Sequence, residues 1–344
     1  MVLQLLVGTV KGAFVYTREG SGWSMSGPHL PGWKVSAVAR DGAGGFVLAS
    51  SSYVYGAMVH RGTDLTSWEL LESPPRYAEE SGHKLKEIWT LTSGGKTLFA
   101  GVDEAGLFQS RDGGVTWSEA TGLTGHPTRG SWFPGFGGLC AHHVLVSGRR
   151  IWCAISAVGV FYSSDAGVTW TSRNRGVPVL IQDEKHDGIG TCVHAIVADP
   201  DDPNRIWRQD HTGMFRTEDG GRRWTAIQAG LPSTFGFPLV RDHGARALFS
   251  VPLQADAFRY PKDGKLRVYR SLDDGDTWVA SRSGLSNKSY HAVLRQAMSA
   301  DQAGGVYLGN AGGEVYASAD LGESFERLPA SLPRILCVEA FGDA

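Results

Sequence analysis

One motif returns along this chain at a near-constant interval, and a chain built that way must fold as a series of like units. Ser110, Asp112, Gly114, Thr116 and Trp117 define it. Ser163, Asp165, Gly167, Thr169 and Trp170 repeat it, as do Thr217, Asp219, Gly221 and Trp224. Ser271, Asp273, Gly275, Thr277 and Trp278 repeat it again, and Ser318, Asp320, Gly322, Ser324 and Phe325 form a softer copy. An Asp in a turn accepts hydrogen bonds from backbone N–H groups just downstream, which fixes the loop. The Gly two positions later supplies a positive φ. The Thr and Trp then suit the start of a pleated, half-buried strand.

Each copy follows a short stretch with strand character, such as Gly106-Leu-Phe-Gln or Gly159-Val-Phe-Tyr, so each reads as strand, tight turn, strand. Worn copies end at Trp68 and Trp23, making seven units with a period of roughly 50 residues, the spacing of four-stranded propeller blades. The expected fold is all-β: a seven-bladed β-propeller forming one domain over residues 1–344. The chain opens on strands matching the second and third of a blade, Leu3 to Val7 and Ala13 to Tyr16. It ends on an apolar run, Arg334 to Ala340, that reads as the missing first strand. The C-terminal strand is therefore expected to pair with the N-terminal blade and close the ring, leaving no long open edge.

The 46 Gly and 11 Trp fit many short strands and tight turns. A net charge of -2 provides no global field for nucleic acid or an anionic membrane. No apolar run is long enough to span a bilayer, and the first residues read as a strand rather than a signal peptide. Four cysteines without a C-x-x-C point to reduced thiols and a cytoplasmic protein. The residues leave the oligomeric state open.

Antiparallel strands sort the loops. The repeated turns share one face with the connections between the first and second strands of each blade. The long segments, Leu71 to Lys86, Ala120 to Gly138, Arg173 to Thr191 and Val251 to Gly264, gather on the other face, which is the candidate binding surface. Cys140-Ala-His142 and Cys192-Val-His194 begin the first strands of neighbouring blades, and alternation puts Cys and His on one strand face. With His211, the histidines His142 and His194 are candidates for general acid/base work or for a divalent transition metal. Interblade packing is the bland alternative. Glu87, Asp187 and Asp210 are the carboxylates available for glycoside chemistry, which needs a pair. Arg295 is a candidate anchor for negative charge, with Trp89, Tyr290 and Asp187 on the same face. The run Trp132-Phe133-Pro134-Gly-Phe136 reads either as a stacking platform for a sugar or aryl ring, with Trp132 at its head, or as a loop packed on itself.

Pro134 to Cys140, Cys192-Val-His194, Asp210-His211-Thr-Gly, Gly230 to Pro238 and Val268-Tyr-Arg-Ser271 are the stretches behind a resemblance that covers the full chain. The chain resembles the Asp-box (BNR-repeat) seven-bladed propellers, the group including sialidases and the sortilin propeller. Within it, it is similar to bacterial single-domain proteins described as sialidase-like or glycosyl hydrolase. The resemblance implies a hydrolase or lyase acting on a small polar or carbohydrate-like ligand. One departure stands out: where sialidases carry a carboxylate-binding Arg, the first loop here reads Gly8-Thr-Val-Lys11-Gly12. The rival expectation is a non-catalytic binding or assembly module presenting one propeller face to a partner.

Overall fold

The computed structural model describes residues 2–20, 22–180, 188–301 and 303–342. The chain opens with β1 (Leu3–Thr9), β2 (Gly12–Glu19) and β3 (Gly22–His29). Sheets of four follow. They are β4 (Lys34–Arg40), β5 (Phe46–Ser52), β6 (Gly56–Gly62) and β7 (Glu69–Leu71), then β8 (Glu87–Gly94), β9 (Thr97–Asp103), β10 (Gly106–Ser110) and β11 (Ser118–Glu119). Next come β12 (Ala141–Ser147), β13 (Arg150–Ile155), β14 (Gly159–Ser163) and β15 (Thr171–Ser172). The following sheet is β16 (Val193–Ala198), β17 (Ile206–Asp210), β18 (Gly213–Thr217) and β19 (Thr225–Ala226). After it come β20 (Gly236–Asp242), β21 (Ala247–Pro252), β22 (Tyr269–Ser271) and β23 (Val279–Ala280). The chain finishes with β24 (Val293–Ala300), β25 (Val306–Asn310), β26 (Val315–Ser318), β27 (Glu326–Arg327) and β28 (Ile335–Gly342). The architecture is all-β, with repeated four-stranded antiparallel sheets resembling propeller blades.

The terminal strand pairs as expected: β28 runs antiparallel to β1, from Leu3↔Gly342 to Thr9↔Ile335. It also touches β24 in a single parallel pair, Gln296↔Cys337, which joins two groups of four into one eight-stranded sheet. The core lies between neighbouring sheets. Trp170 packs with Phe99, Leu107 and Phe161, and Trp224 packs with Trp152, Ile206 and Phe215. Trp278 packs with Trp207 and Leu248. The motif tryptophans thus fill the gap to the preceding sheet, which explains why an aromatic closes each repeat.

The repeated turns share one hydrogen-bond pattern. The Ser163 hydroxyl donates to Asp165 Oδ1 at 2.7 Å and accepts the Gly167 N–H at 2.9 Å. Asp165 accepts the Thr169 N–H at 2.9 Å and its hydroxyl at 2.7 Å. Gly167 sits at φ 92°, where a side chain would be strained. The same bonds recur around Asp112, Asp273 and Asp320, and around Asp219 apart from the hydroxyl donor. Each of these aspartates is committed to its own turn.

The innermost strands break the alternation. In each of β4, β8, β12, β16, β20, β24 and β28 the register to the next strand slips near the same level. The extra residues include Ser36, Trp89, His142, His194, Phe237, Arg295 and Leu336. A bulge leaves a residue out of the ladder and re-aims its side chain.

Candidate functional site

The bulges bring side chains from several sheets to one place. Gln296 donates to the His142 carbonyl at 2.6 Å and the Trp89 carbonyl at 3.3 Å, tying three innermost strands together. Beside it, Arg295 lies 4.7 Å from the Phe237 ring and 5.9 Å from the Trp89 ring. Arg295 and Gln296 line cavities on both sides, one of about 480 Å3 toward the repeated turns and one of about 610 Å3 toward the long loops. The latter adjoins a third cavity of about 520 Å3, with Phe237, Arg259 and Arg295 in common walls.

Three arginines are deeply placed, and their partners differ. Arg208 is fully buried and bonds Asp210, Asn174 Oδ1 and the Thr191 hydroxyl. Arg241 reaches Asp199 and Asp274, each at 3.2 Å, over the Trp207 ring. Arg295 has no carboxylate or hydrogen-bond acceptor among the described residues, and its Nε is buried without a partner. Burial lowers its pKa, with opposing pulls from Cys192 and Cys140. An unpaired guanidinium on the walls of three cavities favours a ligand that carries negative charge.

The third cavity is lined by Phe133, Phe136, Cys192, His194, His211 and Asp256 along with the shared residues. His194 Nδ1 lies 2.6 Å from the Gly236 carbonyl, which fixes that nitrogen as the donor and leaves Nε2 as an acceptor for the Cys192 thiol, 3.6 Å away. His211 packs on His194 and Phe235, with Nε2 3.9 Å from Asp256. Burial, then Arg295, holds His194 well below the ordinary imidazole value. Burial also lowers His211, against an upward pull from Asp256. Both shifts favour the neutral imidazole, the form that can bind a metal.

The structure sorts the other expected residues. His142 does not join His194 and His211; it lies fully buried with Nδ1 3.2 Å from His143 Nδ1, and Cys192 stands in the place expected for it. Burial, then Arg295, pushes its pKa well down. Cys140 turns to the Gly137 carbonyl, so the two Cys-x-His pairs behave differently despite equal spacing. Asp210 is buried against Arg208 and accepts from Thr212, lining none of these cavities; it anchors the turn that presents His211. Trp132 is likewise not at a cavity. It is buried on Phe161 and His126 with Nε1 bonded to Thr128, the self-packed outcome, while Phe133 and Phe136 stay exposed at the cavity wall. Glu87 does line the 610 Å3 cavity, paired with Lys34 at 2.6 Å, together with Trp89 and Tyr290. Asp187 lies outside the described residues. Asp256 and Arg259 are readable from sequence only as polar residues of a long loop on the candidate face, with no role attached. Phe237 carried no signal, since it sits where another blade carries His. Cys192 was visible only as half of a Cys-x-His pair.

No family model matches this chain. An oligoxyloglucan-reducing end-specific xyloglucanase from Emericella nidulans is 28% identical over 226 residues, covering 63% of this chain and 24% of its own length. The chain thus spans about a quarter of that relative. YCF48 bound to D1 peptide superposes with a TM-score of 0.54 at 12% identity, over 85% of this chain and 81% of that one. The WD40 β-propeller domain of Doa1 gives 0.51 at 11% identity, over 89% and 86%. At such identities the structural likeness speaks to the propeller fold alone.

Proposed function

We propose that this chain is one seven-bladed propeller of the Asp-box type, closed by β28, and that its loop-rich face binds an acidic, sugar-like ligand for hydrolysis or lyase cleavage. Closure is supported by contacts between successive innermost strands, β4 to β8 and onward through β12, β16, β20 and β24 to β28, which returns to β4. The reading of the site is carried by one observation, the unpaired Arg295 guanidinium where the two loop-side cavities meet. A carboxylate on the ligand would complete it with charge-assisted hydrogen bonds. Phe133, Phe136 and Phe237 offer ring surfaces for a sugar, and His211 beside Asp256 is placed to move a proton. Glu87 in the adjoining cavity is the nearest candidate for a second carboxyl group. The xyloglucanase similarity supports a carbohydrate ligand. The four buried free cysteines are compatible with a reducing cytoplasm.

The test offers the protein neutral oligosaccharides and uronate-containing ones, following new reducing ends for hydrolysis and unsaturated uronate absorbance for a lyase. The expected result is cleavage of an acidic oligosaccharide, with kcat/KM falling roughly 10- to 100-fold in Arg295→Met. Cleavage of neutral glycans unaffected by that substitution would contradict the reading. A second reading, a non-catalytic binding module, draws on Phe133, Phe136, Phe258 and Tyr290, all strongly exposed and lining or adjoining the loop-side cavities. Apolar surface of this kind suits a peptide, and YCF48 bound to D1 peptide shares the fold. Absence of any cleavage, with a peptide retained by the wild type and lost in Phe136→Ser, would favour it.

A further inference from the structure

We infer that Cys192, His194 and His211 form a binding site for one zinc-class divalent ion, with its fourth coordination position open to the 520 Å3 cavity. The ligand atoms of all three lie within 4.8 Å of one another. A tetrahedral zinc with ordinary bond lengths holds sulfur and nitrogen about 3.6 Å apart. Cys192 Sγ and His194 Nε2 are 3.6 Å apart before any ion is added. The Gly236 carbonyl takes the other His194 nitrogen, the outer-sphere bond that metal-bound histidines use to fix tautomer and ring angle.

His211 is on the turn after β17, and its ring would need an inward shift of roughly an ångström to complete the set. Beneath it, Asp210 holds the turn through Thr212 and is itself held by Arg208. Asp256 lies 3.9 Å from His211 Nε2, and Arg295 lines the same cavity, so charges of both signs stand around the position. A thiolate and two imidazoles select zinc or cobalt over magnesium or calcium, which prefer oxygen donors. Phe133, Phe136 and Phe237 leave the exposed side of the site apolar, so a ligand oxygen or a water would take the remaining position. This inference does not rest on the cleavage reading.

The experiment titrates metal-free protein with Zn2+ and, separately, Co2+, reading stoichiometry by elemental analysis after gel filtration and the cobalt complex by absorption. The expected result is one equivalent retained, with a thiolate-to-cobalt charge-transfer band. Cys192→Ser removes the band, and Cys140→Ser, its counterpart in the preceding sheet, keeps it. His211→Gln weakens affinity roughly 10- to 100-fold. Thermal melts of the metal-free variants establish that each is folded. Should a variant not fold, alkylation of Cys192 in the wild type, blocked by one equivalent of Zn2+, gives the same readout. Retention of less than a stoichiometric amount, or a band that survives Cys192→Ser, would overturn the site. Loss of cleavage with metal binding intact would count against the proposed activity only.

Discussion

The two ends of the strands are built on opposite plans. At one end the chain reverses through near-identical turns, each satisfying its own polar groups, as Asp165 does with Ser163 and Thr169. At the other end every innermost strand slips register and the connections lengthen, and Arg295 Nε, Trp89 Nε1 and His142 Nε2 are buried without partners. Arg241 Nε and Arg173 Nε are also without partners near the turns, but the Arg241 guanidinium is otherwise held by Asp199 and Asp274, whereas Arg295 meets no acceptor among the described residues. The repeated end holds the fold, and the irregular end is where a ligand gains most by binding. Repetition and irregularity thus divide the molecule along the strand direction.

Removing β28 tests the plan at its largest scale. The pairing of β28 with β1 spans the length of both strands, and Val338 and Ile335 are buried. A chain ending at Pro333 should be insoluble or lack the β signature in circular dichroism; a folded, soluble product would show that the two ends are not held by one ring.

Next in size is the strut beneath the loop-side site. Arg208→Met leaves Asp210 buried without its partner and should cost about 3–5 kcal/mol in denaturant unfolding. A smaller loss than for Trp170→Ala, itself expected at about 3–5 kcal/mol from burial of the ring, would place the weight at the packing between sheets.

How much of this was legible follows from where periodicity holds. The turns and the number of strands in each unit are readable because Asp, Gly and Trp recur at a fixed phase, and the returning strand because an apolar run is left over at the end. The inner face was only half readable. Alternation forecast that Cys140 and His142 would act like Cys192 and His194, but a bulge at each His re-aims the side chain, and the neighbouring sheet decides what it meets. Trp132 was visible as an aromatic in a long loop, yet whether it packs inward or outward depends on Phe161 from a distant strand. Arg295 was legible as an anchor, whereas its lack of a partner is a property of the assembled sheets.

The titrating groups sharpen the contrast. Glu339 lines the cavity on the turn side of Arg295, and burial pushes its pKa up to about 7. A carboxyl raised in the folded state favours folding below its unfolded value and loses that contribution as pH rises through 7. Glu339→Gln should therefore raise stability at pH 8, on the order of 2 kcal/mol, and leave it unchanged near pH 4. Equal stability at pH 8 would mean that water in this cavity hydrates the carboxylate.

The turn aspartates have the opposite sign and the smallest individual effect. The Thr169 N–H, then its hydroxyl, then Ser163 hold Asp165 down at about 2. Asp112 is lowered by the Thr116 hydroxyl and N–H. Their contribution is complete above the unfolded carboxylate value and is lost as pH falls toward 2. Asp165→Asn should flatten the acid limb of the stability profile slightly; an unchanged limb would mean these bonds hold the turn equally well without the charge.

The division between the two ends is tested most directly by hydrogen–deuterium exchange, read peptide by peptide, with and without saturating glucuronate. The account predicts slower exchange at the starts of β8, β16, β20 and β24 and in residues 251–264, with no change in the turns at 110–117, 163–170 and 271–278. Protection centred on those turns, or no protection anywhere, would contradict it.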